Sequence, residues 1–394
     1  MSRRQAVKIL GAGLVVAAAG LAGGYEISQA NKQSVTQPLP LTQTITETGT
    51  VTSTYDYGKF PGQTLHVEHS GAEAPAIQKW VTDPWMNMTG ANVVVEYGAT
   101  SMTIGKVRAQ KDDPLLDVVL CDEVGADTLG AEGLLVRLDP GKIPNMDEIY
   151  PRFITKDFWG AGFWNFQDTI VYNTNAPEFQ NNVPDTYELF WNPKFKNRYF
   201  MAPWSWGDGV ALIALIAHML GKNEYSVDDQ VWNKIAALKP QILTYADNFS
   251  ATAELFKSGD IAIGYYSPQT FAADILIPKK PYPIGIGAPK EGEVGIYGIV
   301  SKVANGPALK QGNEAMVDSY INYALSKQAQ LGIASALWYG ICNATITRDD
   351  FRSVGVPDWV VVGPEEYDKL VTFDWAYIST VRDAWLQKVN TLMA

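Results

Sequence analysis

Thr64-Leu-His-Val-Glu-His69, Asn92-Val-Val-Val-Glu-Tyr97 and Leu116-Asp-Val-Val-Leu-Cys121 decide the fold. Each run is rich in β-branched or aromatic residues, and turn formers follow the first two, Ser70-Gly71 and Gly98-Ala-Thr-Ser-Met102. Such runs read as strands. The spans between them read as helices: Ala74 to Trp85, Ile104 to Gln110, and a short one from Gly125 to Glu132 closed by Gly133. Alternating strands and helices imply parallel strands covered by helices, an α/β architecture. Ligands of such sheets bind beyond the carboxyl ends of the strands. That rule marks Ser70, Gly71, Ser101, Met102, Asp122 and Glu123 as candidate binding residues. Asp122 fits a helix cap equally well.

Further along, Phe163-Trp-Asn-Phe-Gln-Asp-Thr-Ile-Val-Tyr-Asn173 opens a new section. Arg198 to Ala202 reads as a strand, and the loop Pro203-Trp-Ser-Trp-Gly-Asp208 leads into an apolar helix from Val210 to Leu220. Helices follow at Asp228 to Leu238 and Ala251 to Lys257, then a strand at Asp260 to Tyr266 and a proline-marked extended return at Pro281 to Pro289. Ile296 to Ser301 is extended; Asn313 to Leu325 and roughly Ser379 to Met393 are helical.

At 394 residues the chain exceeds what one hydrophobic core serves, so two lobes are expected. The formal charge of -11 argues against a nucleic-acid partner. Three histidines rule out a histidine-rich metal site, and His218 lies in an apolar helix where a structural role fits best. Cys121 and Cys342 form no Cys-x-x-Cys motif; two buried thiols are the favoured reading, with one disulfide as the alternative. Neither Gly-x-Ser-x-Gly, Gly-x-Gly-x-x-Gly nor a phosphate-loop Gly-Lys-Ser/Thr occurs, so neither an enzyme nor a cofactor is expected, and a structural surface protein stands as a further rival class. The 12 Trp, 19 Tyr and 14 Phe supply flat rings suited to ligand stacking as well as to cores.

The N-terminus begins Met-Ser-Arg-Arg-Gln, and a small, apolar stretch runs from Ile9 to Gly24. This reads as an export signal, or as an N-terminal membrane anchor if uncleaved, over residues 1–27. Arg3-Arg4 resembles a twin-arginine signal. Residues 28–61 are rich in Ser, Thr, Gln and Pro and read as a tether that holds the folded part off a membrane. The implied location is extracytoplasmic.

Taken in order, the segments from residue 62 onward resemble the extracellular solute-binding proteins of ATP-driven importers, above all the spermidine/putrescine branch and its iron-binding relatives. The likeness rests on Asp117-Val-Val-Leu120, Thr169-Ile-Val-Tyr-Asn173 and the segment Tyr187 to Arg198. Leu255-Phe-Lys-Ser-Gly-Asp-Ile-Ala-Ile-Gly264, Pro289-Lys-Glu-Gly292 and the tail Phe373-Asp-Trp-Ala-Tyr377 with Arg382, Trp385 and Asn390 extend it. The resemblance implies a two-lobed, type II-like periplasmic-binding-protein fold, with residues 62–163 and 296–394 in lobe 1 and 164–295 in lobe 2. It also implies a monomer that closes around a small solute and docks on a permease.

The resemblance directs attention to Phe166, Trp204, Trp206, Asp208, Tyr265, Tyr266, Gln269, Tyr297 and Trp338 as cleft residues. Trp204 and Trp206 stand where polyamine binders carry acids, and no acid follows Tyr265-Tyr266. The expectation is therefore an aromatic, mostly neutral cleft, in which Asp122, Glu123 and Asp208 balance a cationic group. The helix start near Ser101 and Thr103 would suit a carboxylate. An amine, a polyamine or a modified amino compound fits that description. Tyr265 and Tyr266 also raise a ferric-iron alternative, although alternation along a strand sends neighbouring side chains to opposite faces.

Overall fold

β1 (Thr64–Ser70) lies between β2 (Asn92–Gly98) and β3 (Val118–Asp122) and runs parallel to both. This computed structural model describes residues 55–70, 73–246 and 248–394. Residues 1–54, Gly71 and the Ser70 side chain lie outside the described residues, and with them the export segment and most of the tether. Among the described residues ten strands form one sheet, ordered β2-β1-β3-β10-β5-β8-β6-β7, with β4 (Leu135–Val136) beside β10 and β9 (Ile284–Ile286) beside β5.

Two long antiparallel strands carry the chain between the halves. β5 (Gly160–Asn173) pairs with β10 (Val294–Val303) from Gly160 to Asp168, then with β8 (Ile263–Tyr266) from Thr169 onward. A bulge at Gly298/Ile299 interrupts the first ladder. β6 (Tyr199–Met201) and β7 (Ile242–Tyr245) extend the second half in parallel. β5 and β10 are buried on both faces, so their sequences do not alternate polar with apolar.

Helices cover each half. In the first, α1 (Ala74–Ile77) continues through a π turn into α2 (Asp83–Thr89), followed by α3 (Thr100–Ala109) and α4 (Glu123–Ala131). In the second, α5 (Gly207–Met219) is buried without a break from Gly209 to Ala217, and α6 (Asp229–Ala236) packs against it. α5 is apolar all round because other elements surround it. Later come α7 (Glu314–Ala324), α8 (Lys327–Leu337) and α9 (Trp375–Met393).

The cores follow this division. Leu65, Val67, Val118 and Leu120 join Tyr320 and Ile321 in one; Ile170, Tyr199, Met201 and the apolar face of α5 build another. The terminal helix bridges the two halves. Residues 296–394 are expected in lobe 1, and α9 does pack on α4 of the first half, yet it also packs on α6, and its Trp375, Ile378, Trp385 and Val389 are buried in the core of α5 and β6. Burying such side chains stabilises that arrangement by roughly 1.5–3 kcal/mol each.

Three helices begin earlier than their apolar periodicity suggested: α3 at Thr100, α5 at Gly207 and α9 at Trp375. α9 starts there because the Asp374 carboxylate accepts the Tyr377 N–H at 2.8 Å. Cys121 and Cys342 are both buried and free, the favoured of the two sequence readings.

Candidate functional site

Four carboxyl groups from different elements come together where the two halves meet. Asp122 ends β3 and occupies the N-cap of α4, where its Oδ2 accepts the Thr100 hydroxyl at 2.7 Å. Glu73 precedes α1 at its N-cap position without a side-chain capping bond, and its Oε1 accepts the Tyr339 hydroxyl at 2.6 Å. Asp208 sits in the first turn of α5. Asp168 projects from the crossing strand β5 and is fully buried. The charge of Asp208 acts on Glu73, Asp122 and Asp168 alike. The approach is close, for a β-carbon on Gly207 would lie 3.9 Å from Asp122 Oδ2.

Among the described residues no lysine or arginine acts on any of the four. Hydrogen bonds from Thr100 and Tyr339 oppose burial and mutual repulsion only in part. Burial, with Glu73 and Asp208 nearby, pushes the Asp122 carboxyl up to about 7. Burial raises Glu73 and Asp208 above the ordinary carboxylate range, and Asp168 well above it. Three of the four carboxyls occupy helix starts, where the partial positive charge would otherwise attract an anionic ligand. The protein fills those positions with its own acids.

Aromatic rings stand beside the acids. Trp164 and Phe166 stack at 5.6 Å between centroids, and the Tyr339 ring meets both at 5.3 and 5.6 Å. Gly298 makes room for this wall, since a β-carbon there would fall 2.2 Å from the Trp164 ring. The charges of Asp208, Asp168 and Glu73 all reach Tyr266.

The expected residues fall into distinct places. Asp122 and Asp208 belong to the carboxyl group, and Phe166 and Tyr266 stand beside it. Trp206, the N-cap of α5, is 36% exposed at its edge. Ser101 and Met102 are exposed on the first turn of α3, and neither is brought into the group. Ser70 and Gly71 cannot be placed, because that side chain and that residue lie outside the described residues. Glu123 turns away toward Asp127 and Asp374. Trp204 and Tyr265 are core residues of the second half, and Tyr297 packs on Phe153 at 4.6 Å in the first.

Gln269 is also diverted. Its amide donates to Gln167 Oε1 at 2.7 Å, Gln167 donates to Asn165, and Asn165 donates to the Ile341 carbonyl. That buried relay ties the second half to the crossing and to the first. Trp338 has a left-handed backbone at the end of α8 (φ 53°) and leans on Trp359. The turn presents its neighbour, Tyr339, to the acids instead. No motif in the sequence singles out Glu73, Asp168 or Trp164. An acid inserted in the long extended run from Phe163 to Asn173 was the available signal for Asp168.

Tyr265 and Tyr266 join different cores on opposite faces of β8, and burial pushes both hydroxyls well above the usual tyrosine range. Among the described residues, no three His, Cys, Asp or Glu side chains converge to hold a metal ion. The carboxyls are thus spread around a space rather than focused on a point.

Two α/β halves joined by paired crossing strands, with a polar and aromatic site at the junction, define a two-lobed binding protein of the type II periplasmic kind. The family model described as bacterial extracellular solute-binding protein matches residues 80–354. The chain belongs to that family of extracellular solute-binding proteins. A curated relative, spermidine/putrescine-binding periplasmic protein 1 of Haemophilus influenzae, is 24% identical over 272 residues, covering 66% of this chain and 71% of the relative. Among solved structures, an ABC transporter protein of Clostridium perfringens aligns with TM-score 0.68 at 22% identity, over 84% of this chain and all of that one. A spermidine/putrescine substrate-binding protein of Streptococcus pneumoniae gives TM-score 0.62 at 18% identity, over 84% and 100%. At these identities the structures establish the fold alone.

Proposed function

We propose that the protein captures an organic amine in this cleft and passes it to the permease of an importer. The observation that carries this reading is the group Glu73, Asp122, Asp168 and Asp208, drawn from both halves with no basic residue among them. An ammonium group between the lobes would supply the missing positive charge, and contact with acids of both halves would favour the closed state. Phe166, Tyr339 and Tyr266 would cover the methylene chain, and Trp206 would close over it. Electron-rich ring faces add cation–π attraction. Lobe boundaries near residues 163 and 296, a monomeric state, and attachment to the membrane through the N-terminal segment complete the proposal.

A carboxylate ligand is disfavoured because it would add negative charge to carboxyls already raised by one another. The ferric alternative is disfavoured by the divergence of Tyr265 and Tyr266 and by their reluctance to ionise. The test is thermal denaturation of residues 55–394 with 1,4-diaminobutane, spermidine, amino acids, sugars, ferric citrate and dicarboxylates, together with native mass spectrometry of the protein from its host. Stabilisation by amines alone, or a retained amine mass, supports the reading. Stabilisation by a dicarboxylate or sugar with no response to amines refutes it.

A further inference from the structure

Three Asn-x-Ser/Thr triplets, the acceptor pattern for N-linked sugars, begin at Asn87, Asn248 and Asn343. The family is extracellular, where surface asparagines meet such sugars. Transfer needs the asparagine amide and the hydroxyl two residues on to be reachable together, so the fold decides among the three.

Asn343 is closed off. It is wholly buried, its Nδ2 donates to Glu148 Oε2 at 2.8 Å, and its Oδ1 accepts the Thr345 N–H and hydroxyl at 2.9 and 2.6 Å. Asn87 is exposed on α2, but Thr89 is 1% exposed, and its hydroxyl donates to the Trp85 carbonyl at 2.8 Å. Asn248 differs from both. It follows β7, the outermost strand of the second half, and both Asn248 and Ser250 are exposed. Its backbone is extended (φ -133°, ψ 104°) at the N-cap of the helix Phe249–Ser258, where its Oδ1 accepts the Ala251 N–H at 3.0 Å. That bond holds the amide with its oxygen toward the helix. The nitrogen, the atom that carries a sugar, has no hydrogen-bond partner among the described residues.

We propose that Asn248 is an N-linked glycosylation site and that Asn87 and Asn343 stay bare on the folded protein. The donor is a lipid-linked oligosaccharide phosphate. A bond forms between Nδ2 and C1 of the sugar, the bond from C1 to the phosphate oxygen breaks, and the proton lost from the amide leaves with the lipid phosphate. Nothing is oxidised or reduced. The amide oxygen survives the transfer, so the helix keeps its cap. At Asn343 the same bond would force a saccharide into the core and displace a buried hydrogen bond. The site does not depend on what the cleft binds.

The test is intact-mass measurement and peptide fragmentation of the protein purified from its host, alongside S250A, S250T and N248D made in the same host. The expected result is saccharide-sized mass increments on the Asn248 peptide of the wild type and of S250T, and none on the Asn87 and Asn343 peptides. S250A and N248D should lose the increments completely. N248D should stay folded, because aspartate caps a helix as well as asparagine does. A bare Asn248 in the wild type, increments that persist in S250A, or a saccharide on Asn87 or Asn343 would each overturn the proposal.

Discussion

Asp122→Asn separates the electrostatic cost of the site from its packing. Asparagine keeps the shape and can still accept the Thr100 hydroxyl that Asp122 Oδ2 accepts at 2.7 Å. The wild-type carboxyl titrates near 3.8 when unfolded and at about 7 when folded. Because the folded value is the higher, the folded state binds the proton more tightly. Stability from this group is fully present below pH 4 and is lost as pH rises through 7. The full difference corresponds to about 4 kcal/mol, and partial opening of the side chain to the cleft reduces it to about 2–4 kcal/mol. Asparagine never ionises and escapes the loss. The ligand-free variant should therefore be more stable than wild type at pH 8 by about that amount, a melting temperature higher by roughly 3–8 °C. At pH 4 the two should melt together. Urea and thermal denaturation of dialysed protein at both pH values measure this. An equal shift at both pH values, or destabilisation at pH 8, would refute the claim that Asp122 is held in an uncompensated acidic environment.

Tyr339→Phe removes the hydroxyl that Glu73 Oε1 accepts at 2.6 Å and should weaken amine binding about 10-fold, read by calorimetry, with the melting temperature little changed. Gln269→Leu breaks the buried relay through Gln167 and Asn165 and leaves amide groups unmet; urea titration should show a loss of about 2–3 kcal/mol. Gly298→Ala places a β-carbon 2.2 Å from the Trp164 ring, so the crossing must shift. The expected cost is about 1–3 kcal/mol, with altered tryptophan fluorescence. Ligand-induced stabilisation by 1,4-diaminobutane should be larger at pH 8 than at pH 5.5, because Asp122, pushed up to about 7, is ionised at the higher value and protonated at the lower.

Local chemistry was enough to find most elements. β1 and β2 stand within a residue of their β-branched runs, and Asp122 and Asp208 were marked because they flank a strand end and a helix start. Asp168 escaped notice because its meaning depends on Asp208, forty residues away, and on a strand buried on both faces, where alternation carries no signal. For the pair Trp338-Tyr339, a left-handed residue at the end of α8 decides which ring faces the acids, and residue type alone does not specify that turn. Gln269 looked like a ligand group until its long-range partners consumed it.

The sequence by itself determined the α/β alternation, the family likeness and half of the acidic group, because those rest on neighbours within a few residues. Only the tertiary structure decided that α9 packs across both halves and that, among the described residues, four acids meet unaccompanied by a base. Contacts between distant segments depend on how the crossing strands place them, and the charge of a cleft is a sum over elements that no local pattern contains.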